Sequence, residues 1–341
     1  MKKNDRTDTI RQWQEKKRRN RWVVMVVFGG MLLLSLIFWW RGQKGELLKS
    51  EPVVWEKKEL KVENGELKVE RVDTSGLEEE IRGLVEGLEG EYVVYGKSLG
   101  ELKVENGKLK KWEVEVGDAD LVMQAASLIK VPVMVAAYRM GERGVVDLDS
   151  IYELREADRV GGSGSLMGKP EGYEVSLRKL IWHMGNESDN TAFAAVVNMV
   201  GEEKLEEEFL RMGLVKVSIK ENEITPKEVG ELFEGLYNYR WLSQENSEEI
   251  LDSMVDTWYE DRIPAGINQS HEAGSRNQKV RIAHKVGTEV GVVGDAGIVF
   301  SDRGDYLLVI MSEGVREVEA KVVVSEISKV VWEWGEKVDN E

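Results

Sequence analysis

The chain has 341 residues, 42% hydrophobic and 32% charged, a balance that suits folded domains with a buried core and excludes a low-complexity chain. Cysteine is absent, which excludes disulfides, thiol catalysis, iron–sulfur clusters and thiolate zinc sites. The three histidines (His183, His271, His284) form no pair at helical metal-ligand spacing, so no metal or other cofactor is expected, and a net charge of −16 argues against nucleic acid as a partner.

Residues 1–21 hold nine Lys and Arg against three acidic residues, and residues 22–40 then run for nineteen positions without a charge. At about 1.5 Å of rise per residue such a run nearly spans a bilayer, and Trp22, Trp39 and Trp40 mark its ends. The run closes on Phe-Trp-Trp-Arg rather than on small residues, so it reads as an uncleaved anchor and not as a signal peptide. The expected organisation is a basic cytoplasmic tail (1–21), a single transmembrane helix (22–40), a stalk (41–76), and a main domain (77–335) outside the membrane.

Glu59-Leu-Lys-Val-Glu-Asn-Gly65 recurs as Glu101-Leu-Lys-Val-Glu-Asn-Gly107. Alternation running into Asn-Gly predicts a β-hairpin at each copy, one in the stalk and one opening the main domain. A helix is expected over Leu77–Leu88 and a strand over Glu91–Lys97. A long apolar helix follows at Ala126–Met140, then helices at Leu177–Gly185, Asn190–Val200, Glu202–Met212, Pro226–Tyr239 and Glu245–Trp258. Thr225-Pro-Lys-Glu228 supplies a hydroxyl cap, a first-turn proline and a reciprocal glutamate. Strands return at Arg281–Lys285, Asp295–Ser301 and Tyr306–Ser312, and a helix closes the chain at Val318–Trp334. This order predicts an α+β fold, an antiparallel sheet covered by helices.

Several patterns carry no chemistry. Ser163 and Pro170 break the phosphate-loop pattern at Gly161–Lys169, and Glu206, Glu207 and Glu208 read as a solvated helix face. His284 reads as packed or exposed rather than catalytic. Of two Ser-x-x-Lys tetrads, Ser176-Leu-Arg-Lys179 is explained by Ser176 capping a helix. Ser127-Leu-Ile-Lys130 lies among apolar residues, where a spacing of three puts hydroxyl and amine on one helix face and desolvation can free the amine to take a proton. Ser188-Asp189-Asn190 falls between two helices. Lys285-Val-Gly-Thr288 ends a strand, and Gly294-Asp295-Ala-Gly297 lies in the next, where glycine implies close approach of another group.

In this order, Ser127-x-x-Lys130, Ser188-Asp-Asn190 and Lys285-x-Gly-Thr288 resemble the three signatures of the class A β-lactamases and penicillin-binding proteins, over roughly residues 77–335. The resemblance implies the class A β-lactamase/DD-peptidase-like fold, an antiparallel sheet flanked by helices plus an all-helical subdomain. It also implies a Ser127 nucleophile, Lys130 as proton acceptor or relay, and Ser188 as proton donor to the leaving nitrogen. Asn190, Lys285 and Thr288 would bind substrate, with the backbone N–H groups of Ser127 and Thr288 as oxyanion hole. Val286 stands where the family has a hydroxyl. The segment between Gly213 and Thr225 is shorter than the loop that carries the deacylating glutamate in class A enzymes, and Glu221 and Glu223 are the available candidates. The expected activity is β-lactam opening through a slowly deacylated Ser127 ester, at the outer face of a bacterial cytoplasmic membrane. The alternatives are a D-Ala-D-Ala carboxypeptidase or transpeptidase acting on peptidoglycan, and a non-catalytic cell-wall or partner-binding domain.

Overall fold

A computed structural model describes residues 68–100, 108–272, 280–301 and 304–338. Residues 1–67 lie outside them, and with them the expected tail, anchor and stalk hairpin. Among the described residues no helix is long and apolar enough to cross a membrane.

Five antiparallel strands make the main sheet: β2 (Glu91–Leu99), β4 (Glu113–Val116), β9 (Arg281–Glu289), β10 (Val292–Phe300) and β11 (Asp305–Glu313), in the order β4-β2-β11-β10-β9. The remaining strands are short: β1 (Lys68–Arg71), β3 (Lys108–Lys111), β5 (Met123–Gln124), β6 (Ile151–Glu153), β7 (Glu174–Ser176) and β8 (Glu223–Ile224). The helices are α1 (Ser75–Val85), α2 (Lys130–Glu142), α3 (Leu177–Asn186), α4 (Asn190–Val200), α5 (Glu202–Arg211), α6 (Pro226–Tyr237), α7 (Gln244–Ser253), α8 (Ile263–Glu272) and α9 (Glu317–Val338).

Alternation along the strands sends side chains to two covered faces. Tyr92 and Val94 of β2 and Leu308 and Ile310 of β11 meet Leu77 and Ile81 of α1 and Val324 and Ile327 of α9 in one apolar cluster. On the other face α6 lies against β2, where a Cβ on Gly230 would come within 2.7 Å of the Tyr95 ring. Leu77 and Ile81 are fully buried, each contributing about 1.5–3 kcal/mol of transfer free energy. α2 is buried nearly all round from Val131 to Met140, as expected of a helix at the centre of a helical group.

The second copy of the repeat, Glu101–Gly107, and the turn expected there lie outside the described residues; next to it β3 pairs with β1 in parallel, and β4 pairs antiparallel with β2. Two expectations change. The helix expected over Glu245–Trp258 stops at Ser253, and α8, which was not foreseen, begins at Ile263 with Pro264 in its first turn. Glu208 is not solvated; it is fully buried, and Arg139 of α2, Arg143 just past its end and Arg211 of α5 hold its carboxylate. Arg139 and Arg143 are distant in sequence, so helical periodicity in α5 could not reveal them.

Candidate active site

The first Ser-x-x-Lys tetrad straddles a change of helix type. Ala126–Ile129 form a single 3-10 turn, and α2 begins at Lys130. Ala126 has φ 45°, a left-handed conformation that costs a residue with a side chain of the order of 1–3 kcal/mol. The surroundings hold it: the Ala125 N–H donates to the Asn222 carbonyl at 2.8 Å, and β5 pairs with β8. Strand β9 presses on the same turn at Gly287, where a Cβ would come within 2.9 Å of the Ala125 carbonyl and 3.4 Å of the Ala126 methyl. The close approach implied by glycines in these strands is thus present.

Ser127 is half-buried and Lys130 buried. Lys130 Nζ lies 2.8 Å from Ser127 Oγ, 2.7 Å from Asn190 Oδ1, 2.9 Å from the Ser188 carbonyl and 3.4 Å from Ser188 Oγ. Burial lowers its pKa to about 7, against the opposing pull of Asp189. Near neutrality a large fraction of the amine is therefore uncharged, with a lone pair available to the Ser127 proton. Lys285, also buried, donates to Ser188 Oγ at 2.8 Å and to the Val286 carbonyl at 3.1 Å. Burial and the neighbouring Lys130 amine push its pKa well below the usual lysine value. The Ser188 hydroxyl thus stands between two amines, an arrangement suited to passing a proton.

Ser188 reaches that position through a left-handed backbone, φ 54°, in the turn between α3 and α4. Its neighbours brace the turn. Asp189 Oδ1 caps α4 by accepting from the Ala192 N–H, and Oδ2 accepts from the Leu166 N–H, both at 2.8 Å. Glu187 accepts from the Ser165 N–H at 2.9 Å, and Asn190 Nδ2 donates to the Gly161 carbonyl at 2.8 Å. The Gly161–Lys169 stretch is accordingly a support for this turn. His183, Glu187 and Asp189 offer ligand atoms within 4.8 Å of one another. Both Asp189 oxygens and one Glu187 oxygen already accept backbone N–H groups, so the cluster serves as this brace.

Thr288 is exposed on β9 immediately after Gly287, and its hydroxyl accepts from Arg262 Nη2 at 2.5 Å. Sequence reasoning missed Arg262. Its guanidinium is buried, and Nη1 donates to the carbonyls of Gly294 at 2.9 Å and Gly287 at 3.2 Å. The Ile263-Pro264 helix start directly after it was the available signal. Ser176 does cap α3, accepting from the Lys179 N–H, and takes no part in the cluster. Glu221 is exposed and paired with Lys220 at 2.8 Å, and Glu223 pairs through β8 with Gln124. Neither carboxylate is hydrogen-bonded to Ser127 or Lys130.

Among solved structures, PBP-A is 24% identical over 79% of this chain and 98% of its own, with TM-score 0.67. A β-lactamase from Sphaerobacter thermophilus DSM 20745 is 23% identical over 78% and 98%, with TM-score 0.66. The TLA-1 extended spectrum β-lactamase is 16% identical over 76% and 98%, with TM-score 0.63. At these identities the likeness establishes the α+β fold that these proteins share. No curated protein matches the chain. The model of the Beta-lactamase enzyme family matches residues 76–334, three quarters of the chain, and the chain therefore belongs to that family as a serine hydrolase of the β-lactamase type.

Proposed function

We propose that Ser127 is the nucleophile of this hydrolase and that β-lactams acylate it quickly and leave it slowly. The observation that carries this reading is the buried Lys130 amine, 2.8 Å from Ser127 Oγ with its pKa lowered to about 7. The uncharged amine takes the Ser127 proton as Oγ attacks the lactam carbonyl, and the backbone N–H groups of Ser127 and Thr288 receive the developing oxyanion. As the ring C–N bond breaks, Ser188 gives its proton to the departing nitrogen and regains one from the Lys130 ammonium. Lys285, Thr288 and Arg262 hold the substrate carboxylate, Arg262 supplying charge where Val286 supplies no hydroxyl.

Deacylation needs a base that holds water against the ester. Glu221 is exposed and paired with Lys220, away from the Ser127–Lys130 pair, which supports slow release. General-base catalysis contributes roughly 10²–10⁴-fold, so its lack separates a penicillin-binding protein from an efficient β-lactamase. The same feature favours a second reading, a D-Ala-D-Ala carboxypeptidase or transpeptidase acting on peptidoglycan. A PBP-A mutant was solved as an acyl-enzyme complex with penicillin G. The basic flank and the uncharged run at 22–40 support a membrane anchor with the hydrolase outside. Chromogenic cephalosporin hydrolysis, compared with D-Ala release from a pentapeptide, separates the two activities. Absence of both, with no adduct on Ser127, overturns the reading. Protease added to intact spheroplasts should degrade the domain; protection until lysis overturns the proposed topology.

A further inference from the structure

His284 is wholly buried on β9, one residue before Lys285, and the steps above do not use it. Carboxylates face both of its ring nitrogens. Nδ1 lies 2.9 and 3.1 Å from the two carboxylate oxygens of Asp295 on β10, itself fully buried. Nε2 lies 3.4 Å from Glu260 Oε1 and 3.3 Å from Thr257 Oγ1, both on the stretch between α7 and α8. Only the charged ring donates from both nitrogens. Burial opposes that charge, but Asp295 and Glu260 outweigh it and raise the pKa to about 9. The opposite strand makes room for the ring: Gly297 pairs with His284, and a Cβ there would come within 2.6 Å of the His284 Cβ.

The network continues toward the site. Asp295 Oδ2 also accepts from the Ile263 N–H at 3.0 Å, next to Arg262, and the Thr257 N–H donates to Glu260 Oε1 at 2.8 Å. The stretch carrying Arg262 has neither helix nor strand ladder to fix it between Ser253 and Ile263, apart from a bridge from Val255 to Ala283. The backbone N–H of His284 donates to the Met254 carbonyl at 2.9 Å and Arg262 donates to carbonyls of β9 and β10, and between these two ties the His284 ring is what joins Thr257 and Glu260 to the sheet. We propose that His284, as an imidazolium, is a positioning residue: through Asp295 and Glu260 it fixes the 257–263 stretch on β9 and so holds Arg262 and Thr288 in line with Lys285 to receive a substrate carboxylate. This rests on the reading of Lys285, Thr288 and Arg262 given above.

The folded-state pKa is raised above the ordinary 6.5, so the tie is complete below that pH and is lost as pH rises through about 9. The test compares full-length wild type, His284→Gln and Glu260→Gln, the last altering a partly exposed partner so that the fold is retained. The second-order acylation constant is measured from about pH 6 to about pH 10 with a penicillin and with its methyl ester. His284→Gln should slow the carboxylate ligand roughly tenfold and the ester less than about twofold, and should abolish the loss above about pH 9. Glu260→Gln should move that loss to lower pH. Equal slowing of both ligands, or an unchanged pH profile, overturns the proposal. Amide hydrogen exchange over 255–263 decides independently of any substrate. Faster exchange in His284→Gln supports the tie, and unchanged exchange overturns it even if wild type proves unreactive, an outcome that would count separately against Ser127 as nucleophile.

Discussion

The carboxylate of Asp189 occupies the space that a side chain on Gly164 would need: a Cβ built there falls 2.1 Å from Asp189 Oδ2. Gly164 also has φ 97°, which residues with a side chain rarely adopt. The two residues tie the glycine loop to the turn that presents Ser188. Gly164→Ala should therefore destabilise the protein by about 2 kcal/mol or more and slow acylation, because the turn must shift. Gly168→Ala, at an open position with ordinary φ, should be near neutral. Thermal unfolding of both variants checks the contrast.

Ser127→Ala should abolish the penicilloyl adduct seen by mass spectrometry, whereas Ser176→Ala should retain it. The second substitution removes only the cap of α3, at a cost of about 0.5–2 kcal/mol in stability. An adduct on Ser176 would overturn the choice of nucleophile.

The acylation rate should rise with pH and reach half its plateau near the Lys130 pKa of about 7. The sign follows from the lowered value: below it the amine is charged and has no lone pair for the Ser127 proton, and above it the acceptor is free. Lys130→Arg keeps a charge at every accessible pH and should be inactive without restoring a pH-dependent limb. A pH-independent wild-type rate between about 5 and 8 would show that Lys130 is not the acceptor.

With a chromogenic cephalosporin, stopped-flow traces should show a burst of about one equivalent followed by a slow steady state, because among the described residues the hydrogen-bond partners of Lys130 are Ser127, Ser188 and Asn190 and include no carboxylate. Glu221→Gln and Glu223→Gln should leave that steady state within about twofold of wild type. Rapid turnover without a burst, lost in either variant, would place the deacylating base on this segment after all.

Periodicity and end signals sufficed for most elements. Asn190–Val200 has the bounds read from its pattern, and the capping box at Thr225 and Glu228 starts α6 as written. These features are local: a cap, a proline and an apolar stripe all lie within a few residues. The stretch 254–262 defeated the same reasoning, because apolar spacing carries through Trp258 while the backbone leaves the helix at Ser253 to pair Val255 with Ala283 on β9.

The amino-acid sequence by itself determined the chemical groups and their order: two serines, two lysines, an asparagine and a threonine in three short motifs, with Ser127 and Lys130 placed together by a spacing of three. Tertiary structure decided everything that depends on bringing distant segments together. It set Ser188 between two amines from α2 and β9, lowered the pKa of each by burial, and inserted Arg262 behind Thr288 from a stretch 26 residues earlier. It also left Glu221 paired with Lys220 in solvent. Burial and charge proximity are properties of the packed molecule, and no window along the chain contains them.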